Sequence, residues 1–280
     1  FGQLITLSGM GRNGEDLTND LTWLALEVIE EMNLLEPKPN VRLHSNTPQD
    51  FLIRVSEILA NAQGSPFLMN FDENSIEGLV WEGIPREDAW DYGIVGCLEN
   101  TMQGNDRSGT VDVNLNLAKA VEYALNDGKD AATGEQVGAS TGDPRSFATY
   151  DEFVSAVKAQ LDALVELLVE AGNEADTLRA KYQPTPYFSA LMDGCAENGK
   201  DVNQGGTVWN FNTIEGMGIA TLADSVTAVK KLVYDEERLS MSELLKALKA
   251  NYEGHEEIRQ LLRTKPPKFG NDDDFADEVA

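Results

Sequence analysis

Apolar side chains at Leu21, Leu24, Ala25, Val28, Ile29 and Met32 recur every three or four residues, which predicts a helix over 19–32 with a solvated acidic face. Thr47-Pro48-Gln49-Asp50 carries the start signals of a second helix, with Thr47 as the cap and Pro48 in the first position; its body, 51–62, places Phe51, Leu52, Val55, Ile58 and Leu59 on one side. Further helices are predicted from near Ser75, from Pro85, and over 114–126, 150–171, 189–198, 219–233 and 241–251. The last has Ser240 as cap and Glu243 completing a capping box. Short apolar runs at 41–44, 67–71 and 92–96 predict strands, the third leading into a loop at Cys97. Another strand is predicted over 207–211, entered by Gly205-Gly206, with a loop over 213–218. The stretch 126–149 reads as turns, marked by Asp127-Gly128 and Thr141-Gly142-Asp143-Pro144. Helices alternating with short strands predict an α/β fold. The polar, glycine-bearing loops beside those strands are where such a fold places its chemistry.

The length, 280 residues, suits one large domain or two, and an apolar fraction of 41% suffices for a core. Asp and Glu number 48 against 22 Lys and Arg, and the net charge of -26 repels phosphate backbones and anionic lipid heads alike. Neither nucleic acid nor a membrane surface is expected as a partner. There is no apolar run long enough to span a bilayer, and residues 1–10 lack the basic start and cleavage site of a secretory signal, so a cytoplasmic protein is expected. Both ends look like cuts through a longer polypeptide. Cys97, Cys195, His44 and His255 are scattered along the chain, so no metal site is indicated.

Candidate chemistry centres on Tyr92-Gly93-Ile94-Val95-Gly96-Cys97-Leu98-Glu99-Asn100. In an extended chain residues two apart share a side, so the Cys97 thiol and the Glu99 carboxylate can address one pocket while Leu98 anchors the segment the other way. That suits a nucleophile or radical carrier with an acid/base partner. A cysteine after a short apolar strand is commonly just a buried hydrophobe. A cysteine hydrolase would need a histidine to form thiolate, and neither His44 nor His255 has a recognisable site around it.

Gly96-Cys97-Leu98-Glu99, followed by Asn116-Leu117-Ala118-Lys119, resembles the active-site cysteine loop and following helix of the glycyl-radical enzymes, the pyruvate formate-lyase-like superfamily, in its Gly-Cys-x-Glu branch of dehydratases, amine-lyases and decarboxylases. Asn46-Thr47-Pro48, Thr141-Gly142-Asp143-Pro144-Arg145, Gly205-Gly206 with Asn210-Phe211, Ala223-Asp224-Ser225, Asn251-Tyr252-Glu253-Gly254 and Lys268-Phe269-Gly270-Asn271-Asp272-Asp273-Asp274 resemble the same family in the same order. The resemblance implies part of a ten-stranded α/β barrel, with the cysteine loop near 93–110 threaded into it. On this reading 1–280 is the central to C-terminal part of the catalytic barrel domain, and the N-terminal region and the glycyl-radical loop lie outside it. The Arg-Val-Ser-Gly-Tyr-like motif of that loop does not occur in the sequence.

The resemblance further implies that Cys97 becomes a thiyl radical that takes a substrate hydrogen, while Glu99 manages a proton during elimination of water or an amine from a small polar substrate. No cofactor is then bound directly; the glycyl radical is installed by a radical S-adenosylmethionine iron–sulfur activating enzyme. Expected partners are that enzyme, the segment or subunit carrying the radical glycine, and further copies in a homo-oligomer. Where diol and choline lyases have proline after the carboxylate, this chain has Asn100, which keeps open an arylacetate decarboxylase or a fumarate-adding synthase. Arg107 would then neutralise a substrate carboxylate or, on the bland view, pair with Asp106 or Asp112, while Trp209 or Phe211 would face an aromatic ring. Glu215 is a further substrate-binding candidate. Cys195 is expected in the core, and Asp272-Asp273-Asp274 as a turn or cap rather than a calcium loop. A different class of reading makes the chain an inert scaffold or binding fragment that needs another chain for activity.

Overall fold

The computed structural model describes residues 4–34, 36–61, 68–96, 98–107 and 112–279. The chain runs β1 (Leu4–Ser8), α1 (Asp20–Met32), β2 (Lys38–Leu43), α2 (Gln49–Ala60), β3 (Leu68–Phe71), α3 (Asp72–Trp81), α4 (Arg86–Trp90), β4 (Tyr92–Val95) and β5 (Glu99–Met102). It continues through β6 (Val113–Asn116), α5 (Leu117–Ala124), α6 (Tyr150–Tyr182), α7 (Pro186–Ser189), α8 (Cys195–Asn198), β7 (Ile214–Met217), α9 (Ile219–Val229), α10 (Met241–Lys249), α11 (Glu256–Thr264) and α12 (Asp274–Asp277). Two compact units form: residues 1–110 with 176–213, and residues 111–175 with 214–280.

In the first unit β1, β2 and β3 make a parallel sheet in that order, with Leu7 beside Val41 and Arg42 beside Asn70. Alternation along the strands sorts their side chains onto two faces. Leu7, Val41, Leu43 and Met69 meet Leu26 of α1 and Phe51, Val55 and Ile58 of α2 in one apolar cluster. The opposite face is polar, carrying Thr6, Asn40, Arg42 and Asn70. Helix α1 starts at Asn19, whose side-chain oxygen accepts the amides of Leu21 (3.0 Å) and Thr22 (3.3 Å). Thr47 does not cap α2; its hydroxyl accepts the His44 amide at 2.8 Å, and the helix begins after Pro48.

The second unit is built on the parallel pair β6–β7, each strand followed directly by its helix, α5 or α9. Its core joins Val121, Phe153, Val157, Leu164, Val226, Leu232 and Leu244. The turns of 126–149 are organised from α6: Gln160 is fully buried and donates to Ala139 O (2.8 Å) and Thr141 Oγ1 (3.1 Å). The expected capping box of α10 is present, with the Glu243 amide on Ser240 Oγ at 3.2 Å and the Ser240 amide on Glu243 Oε2 at 2.9 Å. Asp224 accepts the Phe269 amide at 3.0 Å, which joins two of the motif segments. Asp273, in the acidic run, caps α12 by accepting the Phe275 amide at 3.1 Å.

The expectation of part of a ten-stranded α/β barrel needs correction. The structure is mixed α/β, but its seven strands among the described residues form sheets of three, two and two strands, and none closes. Closure requires a neighbour on both edges of every strand. Only β2 has two. Smaller departures share a cause, that four-residue elements leave little pattern to read. Strands β6 and β7 occupy the start of a predicted helix and a predicted loop. The predicted strand over 207–211 is reduced to a single bridge between Asp106 and Trp209, and in place of one helix over 189–198 there are the one-turn helices α7, ending at Ser189, and α8, starting at Cys195. Helix α6, by contrast, runs on past the predicted end at 171 to Tyr182, with Gly172 buried inside it near Val113.

Candidate active site

Strands β4 and β5 form an antiparallel hairpin in which Tyr92 faces Met102, Ile94 faces Asn100 and Val95 faces Glu99. The two strands are separated by residues 96–98 of the sequence. Gly96 has φ +66, the left-handed conformation that a three-residue hairpin turn asks of one residue. Cys97 lies outside the described residues, and so its expected role is unaccompanied by any placement. Leu98, expected to anchor the segment, is half-exposed at 50%.

Residues paired across an antiparallel ladder share a face. Tyr92, Ile94, Asn100 and Met102 therefore lie on one side of the hairpin and Gly93, Val95, Glu99 and Thr101 on the other. The first side is seated. Tyr92, Ile94 and Met102 pack with Ile76, Ile84 and Ala89, and the hairpin is hydrogen-bonded to the polar face of the sheet. Arg42 donates to the carbonyls of Tyr92 (3.1 Å) and Trp90 (3.3 Å), and Asn70 donates to Leu98 O (3.0 Å) and Asn100 Oδ1 (2.9 Å).

Arg42 is itself buried, and it is tolerated there because Asp72, also buried, meets it with two bonds at 2.8 and 3.1 Å. Asp72 also accepts the Tyr92 hydroxyl at 2.6 Å and the Met10 amide at 2.6 Å. Burial, followed by the bond to Asp72, raises the Tyr92 phenol above its ordinary value, keeping it a donor. His44 is buried at the end of β2, with Nε2 3.0 Å from Asp16 Oδ1 and Nδ1 accepting the Asn46 amide at 3.3 Å. Because Nδ1 accepts, the proton of the neutral ring is on Nε2, directed at Asp16. The amide of Asn40, with no exposure, has no hydrogen-bond partner at either atom among the described residues.

Glu99 opens β5 on the side of the hairpin away from the seat. Its carboxylate folds back over the turn: Oε2 accepts the Leu98 amide at 2.8 Å, and a Cβ on Gly96 would lie 2.5 Å from Oε1. A glycine at position 96 thus does two things, taking the positive φ and leaving room for the carboxylate.

The remaining candidates divide. Arg107 is buried and gives Asp176 a two-pronged ion pair, Nη1 to Oδ2 at 3.1 Å and Nη2 to Oδ1 at 3.0 Å, with Asn212 Oδ1 at 2.8 Å from Nη1. Burial pushes the Asp176 carboxyl up, but Asn212, Arg107 and Arg179 outweigh it and hold the group below the usual carboxylate range. Trp209 exchanges backbone bonds with Asn105 (2.8 Å) and Arg107 (3.1 Å), and with Phe211 it packs on the cluster that holds Tyr92, Ile94 and Met102. Glu215 belongs to the second unit, on β7 opposite Asn114. Cys195 is buried with Met192 and Val202, and burial raises its thiol.

Sequence reasoning missed Asn70, Arg42 and Asp72. The available signal was Asn40, Arg42 and His44 at every second position of an otherwise apolar strand, which is the mark of a buried polar sheet face.

Residues 2–280 match the family described as "Pyruvate formate lyase-like". Among curated proteins the chain is 39% identical over 275 residues to trans-4-hydroxy-L-proline dehydratase of Clostridioides difficile, a match covering 98% of this chain and 35% of that protein. It is 39% identical over 280 residues to isethionate sulfite-lyase of Bilophila wadsworthia, covering 99% of this chain and 34% of that one. Among solved structures, the glycerol-bound B12-independent glycerol dehydratase from Clostridium butyricum superposes with a TM-score of 0.84 at 36% identity, over 99% of this chain and 35% of that chain. The chain therefore spans about a third of the length of these relatives. Over that span, it belongs to the pyruvate formate lyase-like family of glycyl-radical enzymes, in the dehydratase-type branch.

Proposed function

We propose that this chain carries the cysteine and carboxylate of a glycyl-radical lyase that eliminates water or an amine from a small polar substrate. The observation that carries the reading is the Glu99 carboxylate, which accepts the Leu98 amide and lies over Gly96, the two residues that flank Cys97 in the sequence. Kinship with hydroxyproline and glycerol dehydratases supports water as the leaving group. Among the other candidates, we assign Arg107 to holding Asp176 and Asn212, and Trp209 and Phe211 to supporting the hairpin from its apolar cluster.

The turn fits a radical relay on this chain's side, since the segment around Cys97 is gripped from the sheet while Glu99 is left on the other face. The glycyl radical, installed by a radical S-adenosylmethionine activating enzyme, supplies the unpaired electron that makes Cys97 a hydrogen-atom acceptor. Cys97 takes a hydrogen atom from one substrate carbon, so that an S–H bond forms as a C–H bond breaks. Glu99 accepts the proton of the neighbouring hydroxyl. The leaving group departs from the adjacent carbon with its bonding pair and takes up the proton that Glu99 accepted, and Cys97 returns the hydrogen atom to the product radical.

The test uses the complete protein, activated without oxygen. Its electron paramagnetic resonance spectrum should show a glycine-centred doublet, and Cys97→Ala should keep that doublet and lose all turnover. Glu99→Gln should bind substrate but lose elimination by roughly 10²- to 10⁴-fold. Turnover surviving in Cys97→Ala would sink the relay. Carbon dioxide from an arylacetate, or a succinate adduct from fumarate and a hydrocarbon, would replace elimination by decarboxylation or addition.

A further inference from the structure

We propose that Asn70 is the positioning residue of the Glu99 carboxylate. Asn70 stands on β3, buried at 8% exposure, on the polar face of the sheet. Its side-chain NH2 spends one hydrogen on Leu98 O at 3.0 Å and the other on Asn100 Oδ1 at 2.9 Å. A backbone carbonyl only accepts, so the amide must present its nitrogen to the hairpin. Its own oxygen is left buried with no partner among the described residues. An orphaned buried acceptor is unfavourable by itself. The side chain is thus committed on its donor side, to groups on either side of residue 99.

The bracket acts on Glu99 through the backbone. Fixing the Leu98 carbonyl fixes the peptide plane that enters residue 99, and holding the Asn100 side chain fixes the strand just after it. Together they set the direction in which Glu99 leaves the hairpin. The carboxylate then reaches back to the Leu98 amide at 2.8 Å and lies over the bare Cα of Gly96. The grip is separate from the one at the other end. Arg42, beside Asn70 in the ladder, holds the carbonyls of Tyr92 and Trp90 and is tied to Asp72, so it secures the base of the hairpin while Asn70 secures the turn.

The functional meaning of this inference rests on the proposed role of Glu99, but its geometry is read without turnover. In the full chain labelled with ¹⁵N, the Leu98 amide reports the bond to Glu99 Oε2 through its proton shift and exchange rate. Glu99→Gln identifies the signal by displacing it. Asn70→Leu keeps the shape and removes both donors; the Leu98 amide should lose its displaced shift and exchange roughly fivefold to tenfold faster, the loss of about one hydrogen bond. The Tyr92 amide, opposite Met102 at the end held by Arg42, should not change. Asn100→Ala removes one acceptor and should move Leu98 in the same direction by less. A folded Asn70→Leu with an unmoved Leu98 amide overturns the proposal. If that variant does not fold, Asn100→Ala decides alone, and an unmoved Leu98 amide again overturns it. Failure of elimination in the product assay would remove the proposed function and leave these signals untouched.

Discussion

Among the described residues, Arg42, His44, Asp72, Asp106 and Arg107 are buried in the first unit together with the amides of Asn40 and Asn70 and the hydroxyls of Thr22, Thr101 and Thr207, whereas the buried polar side chains of the second unit are Gln160 and Thr227. The second unit is held by apolar area, at about 1.5–3 kcal/mol for each large side chain fully buried. The first has an apolar core of that kind on one face of its sheet, but the other face trades it for charge and amide groups whose burial is tolerable only while their partners stay in place. A polar buried face is costly as structure, and it is where the cysteine hairpin is seated. The difference teaches that the two units will fail differently: one by gradual loss of packing, the other when a single partner is removed.

The largest effect is therefore expected at the Arg42–Asp72 pair. Asp72→Ala leaves a buried guanidinium without its carboxylate and strips the partner from the Tyr92 hydroxyl and the Met10 amide. A loss of about 3–5 kcal/mol is expected in urea unfolding. The double change Arg42→Met with Asp72→Leu should recover part of it, because no charge is then buried alone, although the Tyr92 hydroxyl and the Met10 amide still lack Asp72. Leu244→Ala in the second unit should cost about 2–5 kcal/mol, and no second substitution of a neighbour should rescue it. An Asp72→Ala loss smaller than the Leu244→Ala loss, or no rescue in the double variant, would break the comparison.

Next in size is Gly96→Ala, which tests the turn rather than its seat. A side chain in the left-handed region costs about 1–2 kcal/mol. The new methyl also meets the Glu99 carboxylate, so the Leu98 amide bond at 2.8 Å must open. The expected result is a modest fall in thermal midpoint together with a moved Leu98 amide signal. A variant as stable as the parent with that signal in place would mean that the glycine is not needed for either purpose.

Much of the helical layout was legible before the structure, because caps and apolar spacing are local signals. Asn19 opening α1 and the Ser240–Glu243 box of α10 needed only a few consecutive residues. The strands were less legible. β1 and β5 went unpredicted, and β6 and β7 were read as helix and loop, since what makes each a strand is a partner distant in sequence. Thr47 had the composition of a cap but found a nearer donor in the His44 amide. At the candidate site, the motif pointed to Glu99 but could not reveal that Asn70 brackets it or that Arg107 is held by Asp176. Those contacts join residues far apart along the chain, and neither partner carries a local signature.

The smallest effect is one of pH, and it concerns the other ion pair of the first unit. Asp176 is a quarter exposed, with its carboxyl held below the ordinary range: burial opposes ionisation, and Asn212, Arg107 and Arg179 more than compensate. A carboxyl depressed in the folded state contributes stability that is fully present above its unfolded value, about 3.9, and is lost as pH falls through the folded value. The partial exposure lets solvent screen the pair, so the effect is a slope rather than a collapse. Asp176→Asn should thus be less stable than the parent in urea at pH 6–7, where the carboxylate is ionised in both states. The gap should close as pH is lowered below the ordinary aspartate range, since the parent carboxylate takes up its proton and the two proteins come to carry the same charge there. A gap that stays constant from pH 7 to pH 3 would mean that the variant is weakened by altered packing around Arg107, and that this pair, unlike Arg42–Asp72, contributes nothing through its charge.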